Sequence, residues 1–376
     1  MFKFADFLTE AAVGGISHIE HPSDRIFDGP DATSHAIKTL KGVASGKAPI
    51  TRKIDDKMSY QAIRTPEGKV GVKYKGSGST YNFSDKDVDT QHGHKPYLAH
   101  PLKSLLKHVG KVLPKRTGEY QGGFMSSPES RKEEGGHISH TPNTIEYHTP
   151  AHSEEGRKLA KSKVSTVIHT ELKGAERTPH PITSMKEFGS HADVHQVQHV
   201  VSPEEKKISP EAKKTVATHL KTAESLLKDH SHAHLSGHEQ TMRSYINSTV
   251  SSGDKPSVEG YKSHLENFHN KKIEGVKTAQ TKEAKTADKN AALSHVEKNK
   301  ASFGKTLEIH HHVQQATNAL ARDLDKHGGG GFGTKIGGKH SGGEGYVAGG
   351  LKVVDREGFS KANRERSAIL RAGKGK

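Results

Sequence analysis

An α+β fold is predicted: antiparallel sheets interrupted by a long helical insertion. Three observations predict it. Short runs of alternating apolar and polar residues fill positions 1–200. Helical spacing takes over from 201 to 327, where Lys, Glu, Ala and His dominate. Residues 328–376 are Gly-rich and then basic, with one more alternating pair of segments. These three spans are the expected divisions of the chain.

The elements follow in order. Met58 to Thr65 alternates as a strand, Pro66-Glu67-Gly68-Lys69 is a turn, and Val70, Val72 and Tyr74 form the returning strand. From Pro101 to Leu113 the residues Leu102, Leu105, Leu106, Val109 and Val112 recur at helix spacing. Thr144 to Thr149 and Val164 to Leu172 read as strands. Ser202-Pro203-Glu204-Glu205 and Ser209-Pro210-Glu211 each offer a Ser cap, Pro in the first turn and early acids. Val216, Leu220, Ala223 and Leu227 form one apolar stripe, and Val313, Ala316, Leu320 and Leu324 another. The Lys/Ala/Thr stretch from Lys277 to Lys289 lies between them and lacks apolar residues. Gly328 to Gly333 reads as a flexible loop or, as an alternative, a phosphate cradle, and without a helix start or a GK[ST] ending it is not a P-loop. Gly345 to Val347 and Leu351 to Val354 flank Ala348-Gly349-Gly350 as a second hairpin.

Composition narrows the function. The 376 residues carry 58 Lys+Arg against 43 Asp+Glu, a net +15, which favours a polyanionic partner such as nucleic acid or a nucleotide. The absence of Cys excludes disulfides, thiolate metal sites and thiol catalysis. No apolar run reaches the ~18 residues of a membrane span. Asp6 and Glu10 interrupt the N-terminal segment, which does not read as a secretory signal.

Four segments carry candidate chemistry. Lys53 stands in Ile50-Thr51-Arg52-Lys53-Ile54-Asp55-Asp56, ahead of the first hairpin. Tyr120-Gln121-Gly122-Gly123-Phe124 follows, then Glu344-Gly345-Tyr346-Val347 and Leu351-Lys352-Val353-Val354. Taken alone, Lys53 is a solvated lysine in a charged turn. The order of the four resembles the covalent nucleotidyltransferase superfamily of ATP-dependent DNA ligases, RNA ligases and mRNA capping enzymes. The chain is more closely similar still to a protein family of large tailed phages. That similarity runs through His18 to Asp24, Ile50 to Asp56, Tyr120 to Met125, Thr141 to Tyr147, Val167 to Thr170 and Glu344 to Asn363.

The resemblance implies a ligase-type core, ATP and magnesium as cofactors, and nucleic acid as the acceptor. It implies action in the host cytoplasm during phage infection, with a place in the virion as an alternative. Lys53 would be the nucleophile that becomes lysyl-AMP. Asp55 would hold the lysine or a metal-bound water, Glu344 would help hold magnesium, and Lys352 would neutralise the α-phosphate. Gln121 belongs to the nucleotide-binding set. Lys73 and Lys75 would reach phosphates or nucleic acid, the alternative being a solvated strand face. The chain departs from the pattern at three places. Asp56 stands where a glycine is expected, Gly123 where an acid is, and Val354 where a lysine is, with Arg356 as its replacement. These departures leave open a degenerate, non-enzymatic, nucleic-acid-binding or virion-associated protein.

Histidine supplies a third reading. His230, His232, His234 and His238 fall at helix-face spacing, and His310-His311-His312 form a run. They read as a solvated helix face, a transition-metal face, or a pH-responsive charge. His18, His21 and His169 either line the nucleotide site or are buried. The C-terminal cations Arg356, Lys361, Arg364, Arg366, Arg371, Lys374 and Lys376 read as a disordered basic end or as phosphate contacts.

Overall fold

The alternating segments become strands and the periodic ones become helices, in the order β1 (Thr51–Arg52), β2 (Met58–Arg64) and β3 (Val70–Tyr74). Helices α2 (Asp85–His92) and α3 (Pro96–His108) follow α1 (Pro30–Ala44) and lead to β4 (Gly118–Ser126). Next come β5 (Lys132–Glu134), β6 (His137–His140), β7 (Glu146–Pro150), α4 (Glu154–Lys161), β8 (Val164–Lys173), β9 (Thr178–Pro181) and β10 (Val194–Gln196). Five helices succeed them: α5 (Pro210–Leu227), α6 (Glu239–Ser252), α7 (Val258–Glu274), α8 (Ala279–Lys298) and α9 (Lys300–Lys326). Strands β11 (Gly333–Ile336), β12 (Lys339–His340), β13 (Tyr346–Ala348) and β14 (Leu351–Val353) close the chain. The computed structural model describes residues 19–76, 78, 80–326 and 331–362. The N-terminal segment through His18, Gly328 to Gly330, and Arg364, Arg366, Arg371, Lys374 and Lys376 lie outside the described residues.

The chain divides into two compact units. One comprises 1–19, 49–207 and 324–350, and the other 20–48, 208–323 and 351–376. The helical part is therefore more than an insertion between 201 and 327. The segment 20–48 and the chain from Leu351 join it, because α1 carries an apolar face of Ala36, Ile37, Leu40 and Val43 that needs helical partners.

In the sheet unit, six strands run β10-β8-β4-β2-β3 with β9 on β8, antiparallel except for the parallel β10–β8 pair. A second sheet runs β12-β11-β7-β6-β5. The fold is thus mixed α and β with antiparallel and mixed sheets. One face of the six-stranded sheet, with Met58, Tyr60, Ala62, Val72, Tyr120 and Phe124, packs against Leu98, Leu102, Leu105 and Val109. Each fully buried Leu contributes ~1.5–3 kcal/mol. The helix opens at Pro96, five residues before the expected start, and tolerates Pro101 inside it. In strand β4, Gln121 pairs with Gln61 and Thr170, so it points to the face away from that core.

In the helical unit the interior is polar as well as apolar. Ser209 caps α5 by accepting from the Ala212 amide, as its sequence predicts. At Ser202 to Glu205 the Ser cap forms, Ser202 Oγ accepting from Glu205 N at 3.3 Å and Glu205 Oε2 from Ser202 N at 2.8 Å, but the segment makes only a turn, and Glu205 also pairs with Arg52 at 2.6 Å. The histidines at 230–238 correct the solvated-face reading. They are not on one helix: α5 ends at Leu227, a 3-10 turn covers Ala233–Leu235, and α6 starts at Glu239. His230, His234 and His238 are buried. His230 Nε2 and His234 Nε2 each lie 2.9 Å from Thr306 Oγ1, whose hydroxyl donates to Ser302 O, so both rings donate through Nε2. Burial pushes His230 and His234 down to about 4, so they are neutral core groups. Ring packing of His234 and His238 on Phe303 completes the cluster.

Asp24 centres a second buried network. It accepts from His310 Nε2 at 3.0 Å and Arg356 Nη1 at 2.9 Å, while Ser23 donates to Gln314 at 2.8 Å. Arg356 also bonds Asn247. It is thus committed to the interior of this unit and does not stand in for a missing phosphate-binding lysine.

Candidate functional site

Lys53 is pinned by its backbone. The two residues of β1 pair with β13, Thr51 opposite Val347 and Arg52 opposite Tyr346. The Lys53 amide then donates to Gly345 O at 2.9 Å, and on the other side Arg52 N donates to His199 O. Gly345 sits at φ +90, where a side chain would be strained, so the turn that presents this carbonyl needs glycine. This register brings the Lys53 ammonium directly onto the Glu344 carboxylate, although 291 residues separate them. About a third of the Lys53 side chain remains exposed.

The pair opens into a cavity of about 310 Å³, at the small end of ligand-pocket sizes. Tyr147 and Phe332, whose rings meet edge to face at 5.4 Å, form an aromatic wall. Gly342, Gly343 and Gly345 line it as a glycine strap around Glu344. At Gly342 a Cβ would fall 1.8 Å from Asp325 Oδ2, so the Asp325 carboxylate lies against bare backbone and accepts from Tyr346 OH at 2.9 Å.

Asp55 has a different job from the one expected. Its carboxylate accepts from Asn143 Nδ2 at 2.9 Å, Thr144 N at 2.8 Å and Ile145 N at 3.1 Å, and its own amide donates to Tyr147 OH at 2.7 Å. Both oxygens are thus engaged in fixing the loop that carries Tyr147 to the cavity wall. As a magnesium ligand it does not fit. Glu344 fits better, since magnesium is commonly held by one or two carboxylates together with substrate phosphates. Among the described residues no group of three or more His, Asp or Glu side chains is set to hold a metal ion.

The two departures at 56 and 123 meet in space. A Cβ on Gly123 would lie 2.3 Å from Asp56 Cβ and 2.4 Å from its Oδ2. The Asp56 side chain therefore fills the volume that an acid at 123 would need. Burial pushes its carboxyl up to about 6, the nearby Asp55 and Glu344 carboxylates adding to the rise, while Ser59 and Lys53 oppose it.

The remaining candidates are scattered. Lys73 is 1% exposed; its ammonium donates to Gly78 O at 3.0 Å and sits 4.7 Å from the Tyr81 ring centroid. That corrects both expectations for it, a phosphate contact and a solvated face, because the Gly78 carbonyl and the Tyr81 ring take up its ammonium. Lys75 is exposed beyond the end of β3, its amide bonded to Ser59 O. Burial pushes His169 down to about 3, with the Lys75 and Lys53 ammonium groups close enough to add to the effect. His169 is thus held neutral beside both lysines. Lys352 belongs to the helical unit, its amide donating to Glu20 O and its ammonium 5.8 Å from the Phe359 ring centroid. His21, in the same unit, is pushed by burial to about 3. Sequence reasoning missed Tyr147, Phe332, Asn143 and Asp325 as site residues. Asn143 and Tyr147 lay inside a segment already singled out, whereas Phe332 was hidden in a glycine run.

A family model described as a family of unknown function, DUF6267, matches residues 17–367, and the chain belongs to that family. No curated protein and no solved structure matches it. No described helix is long and apolar enough to cross a membrane.

Proposed function

We propose that the chain is a phage-encoded, ligase-like nucleotidyltransferase that charges Lys53 with AMP from ATP and passes the AMP to a nucleic-acid end. The observation that carries this reading is the meeting of Lys53 with Glu344 at the mouth of a cavity walled by Tyr147 and Phe332. An aromatic wall suits a nucleobase, and a glycine strap lets backbone approach phosphate oxygens. In the first step the Lys53 Nζ lone pair attacks the α-phosphorus. An N–P bond forms, the bond to the β-phosphate oxygen breaks, and pyrophosphate leaves. In the second, a nucleic-acid 5′-phosphate oxygen displaces Lys53 and restores the amine. Lys53 must first lose a proton, since a free lysine has a pKa near ~10.4. The Glu344 carboxylate positions the ammonium and is the nearest acceptor for that proton. When bound, magnesium supplies neutralisation of triphosphate charge, and Glu344 is the residue that would hold it.

The Lys53–Glu344 ion pair also favours the second reading, a nucleic-acid-binding or virion-associated phage protein that no longer transfers nucleotides. A carboxylate against the lysine stabilises the unreactive ammonium. Intact mass before and after ATP with magnesium separates the two. The enzyme reading expects a gain of one AMP, reversed by pyrophosphate and absent in Lys53→Ala. No gain with any of the four nucleoside triphosphates would overturn it in favour of the second.

A further inference from the structure

Helix α8 is twenty residues long, yet Val296 alone is buried. A helix that is polar all round needs a reason to exist other than core burial. Its partner is α7, and the two are tied by Lys262 to Glu297 at 2.5 Å and by Lys289 to Asn270 at 3.1 Å. This hairpin gathers cations from both helices along one seam. Lys282, Lys285 and Lys289 share one face of α8 by the helical repeat, over ~10 Å of axis. Lys272 joins them from the end of α7, its ammonium held 4.1 Å from the Phe268 ring centroid. His269 lies among Lys272, Asp288, Lys285 and Lys289, all four of which act on it electrostatically, the three cations against the one acid. The balancing acids are weakly engaged: Asp288 is 3.7 Å from Lys285 and Glu266 is 3.9 Å from Lys289. Lys282 has no ion-pair partner among the described residues.

We propose that the α7–α8 seam, through Lys272, Lys282, Lys285 and Lys289, binds the phosphodiester backbone of nucleic acid. The charge and the linear spacing suit a polyanion with regularly placed phosphates. An anionic lipid surface suits it less, because α8 exposes no large apolar side chain to insert. The seam lies outside the residues that build the Lys53 cavity, so the inference stands or falls independently of nucleotide transfer.

The test is fluorescence anisotropy of the full chain with labelled single-stranded and duplex oligonucleotides across a salt series, without ATP. The variant K272Q/K282Q/K285Q/K289Q is compared with K213Q/K214Q/K221Q/K228Q, which removes the same charge from α5 and its end. Circular dichroism checks both folds, and K272Q/K282Q, which touches exposed lysines only, serves if the quadruple variant is unstable. The seam variant is expected to bind at least about tenfold more weakly at low salt. Its slope of log affinity against log salt falls by roughly 3.6 for duplex, from ~0.9 for each of four phosphate contacts. The α5 variant keeps both. Equal losses in the two variants would reduce the effect to net charge and overturn the proposal. No loss in the seam variant would overturn it as well, as would unchanged oligonucleotide affinity with lost binding to phosphatidylserine vesicles.

Discussion

Each unit buries an aspartate, and the two are held in opposite ways. In the helical unit, Asp24 is met by charged and ionisable groups, Arg356 and His310, brought in from 332 and 286 residues away. In the sheet unit, Asp55 is met by neutral N–H groups of one short loop, Asn143, Thr144 and Ile145. The first arrangement cross-links distant elements through one carboxylate oxygen. The second shapes a local surface, carrying Tyr147 to a cavity where Lys53 stays partly exposed. The same residue type thus serves cohesion in one unit and site geometry in the other.

Substitution should separate the two. Asp24→Ala strands Arg356 and His310 in the interior and should cost about 3–5 kcal/mol in urea unfolding followed by circular dichroism. A loss under 1 kcal/mol would mean that Arg356 and His310 find other partners and that the network is not the unit's anchor.

Acid is the next lever. Burial pushes His21, His140 and His169 to about 3 and His230 and His234 to about 4, against an ordinary value near 6.5. The unfolded chain binds protons at these sites in the window where the folded chain does not. Stability they support is present above pH ~6.5 and is lost as pH falls toward 4 and then 3. Asp24, held far below the usual carboxylate range by His310 and Arg356 against its own burial, keeps its charge throughout that window. Thermal unfolding at stepwise lower pH should therefore show a continuous fall in Tm from about pH 6.5. A flat profile to pH 4 would contradict the neutral, buried state of these rings.

Asp55→Ala should cost less than Asp24→Ala, about 2–3 kcal/mol, since it orphans amides rather than a guanidinium. Its sharper signature is local: protection of the 143–147 amides in hydrogen exchange should drop while α5 to α9 stay protected.

The smallest expected effect runs the other way. Asp56→Asn should stabilise the chain by on the order of 1 kcal/mol at pH 7.5, because it removes a carboxyl that burial holds at about 6. A raised folded pKa contributes stability below the unfolded value near 3.8 and loses it as pH rises through 6, so the gain should shrink as pH falls below 6 and vanish near 3.8. Destabilisation at pH 7.5 would show that the charge itself is needed there.

Local signals in the sequence were sufficient for the β2–β3 hairpin, the strands β7 and β8, the Ser209 cap and the β13–β14 pair of segments around Gly349-Gly350. Side-chain period, turn chemistry and capping act within a few residues, so a sequence carries them openly. The candidate lysine and glutamate were legible as motifs. Their contact was not, because it depends on β1 finding β13 across most of the chain. The same limit explains the misreadings. Lys73 looked solvated by its place in an alternating strand, but Gly78 and Tyr81 take up its ammonium. The histidines from 230 to 238 looked like a helix face, but Thr306 and Phe303, from a distant helix, enclose them. Asp56 and Gly123 looked like two separate departures until their side-chain volumes proved to be one space. The sequence by itself determined the strands and helices whose side-chain period is strong, and which residue types are available for chemistry. Only the tertiary structure decided which of those residues are enclosed and which are paired. Burial and pairing depend on groups that approach from far along the chain, and no local period encodes them.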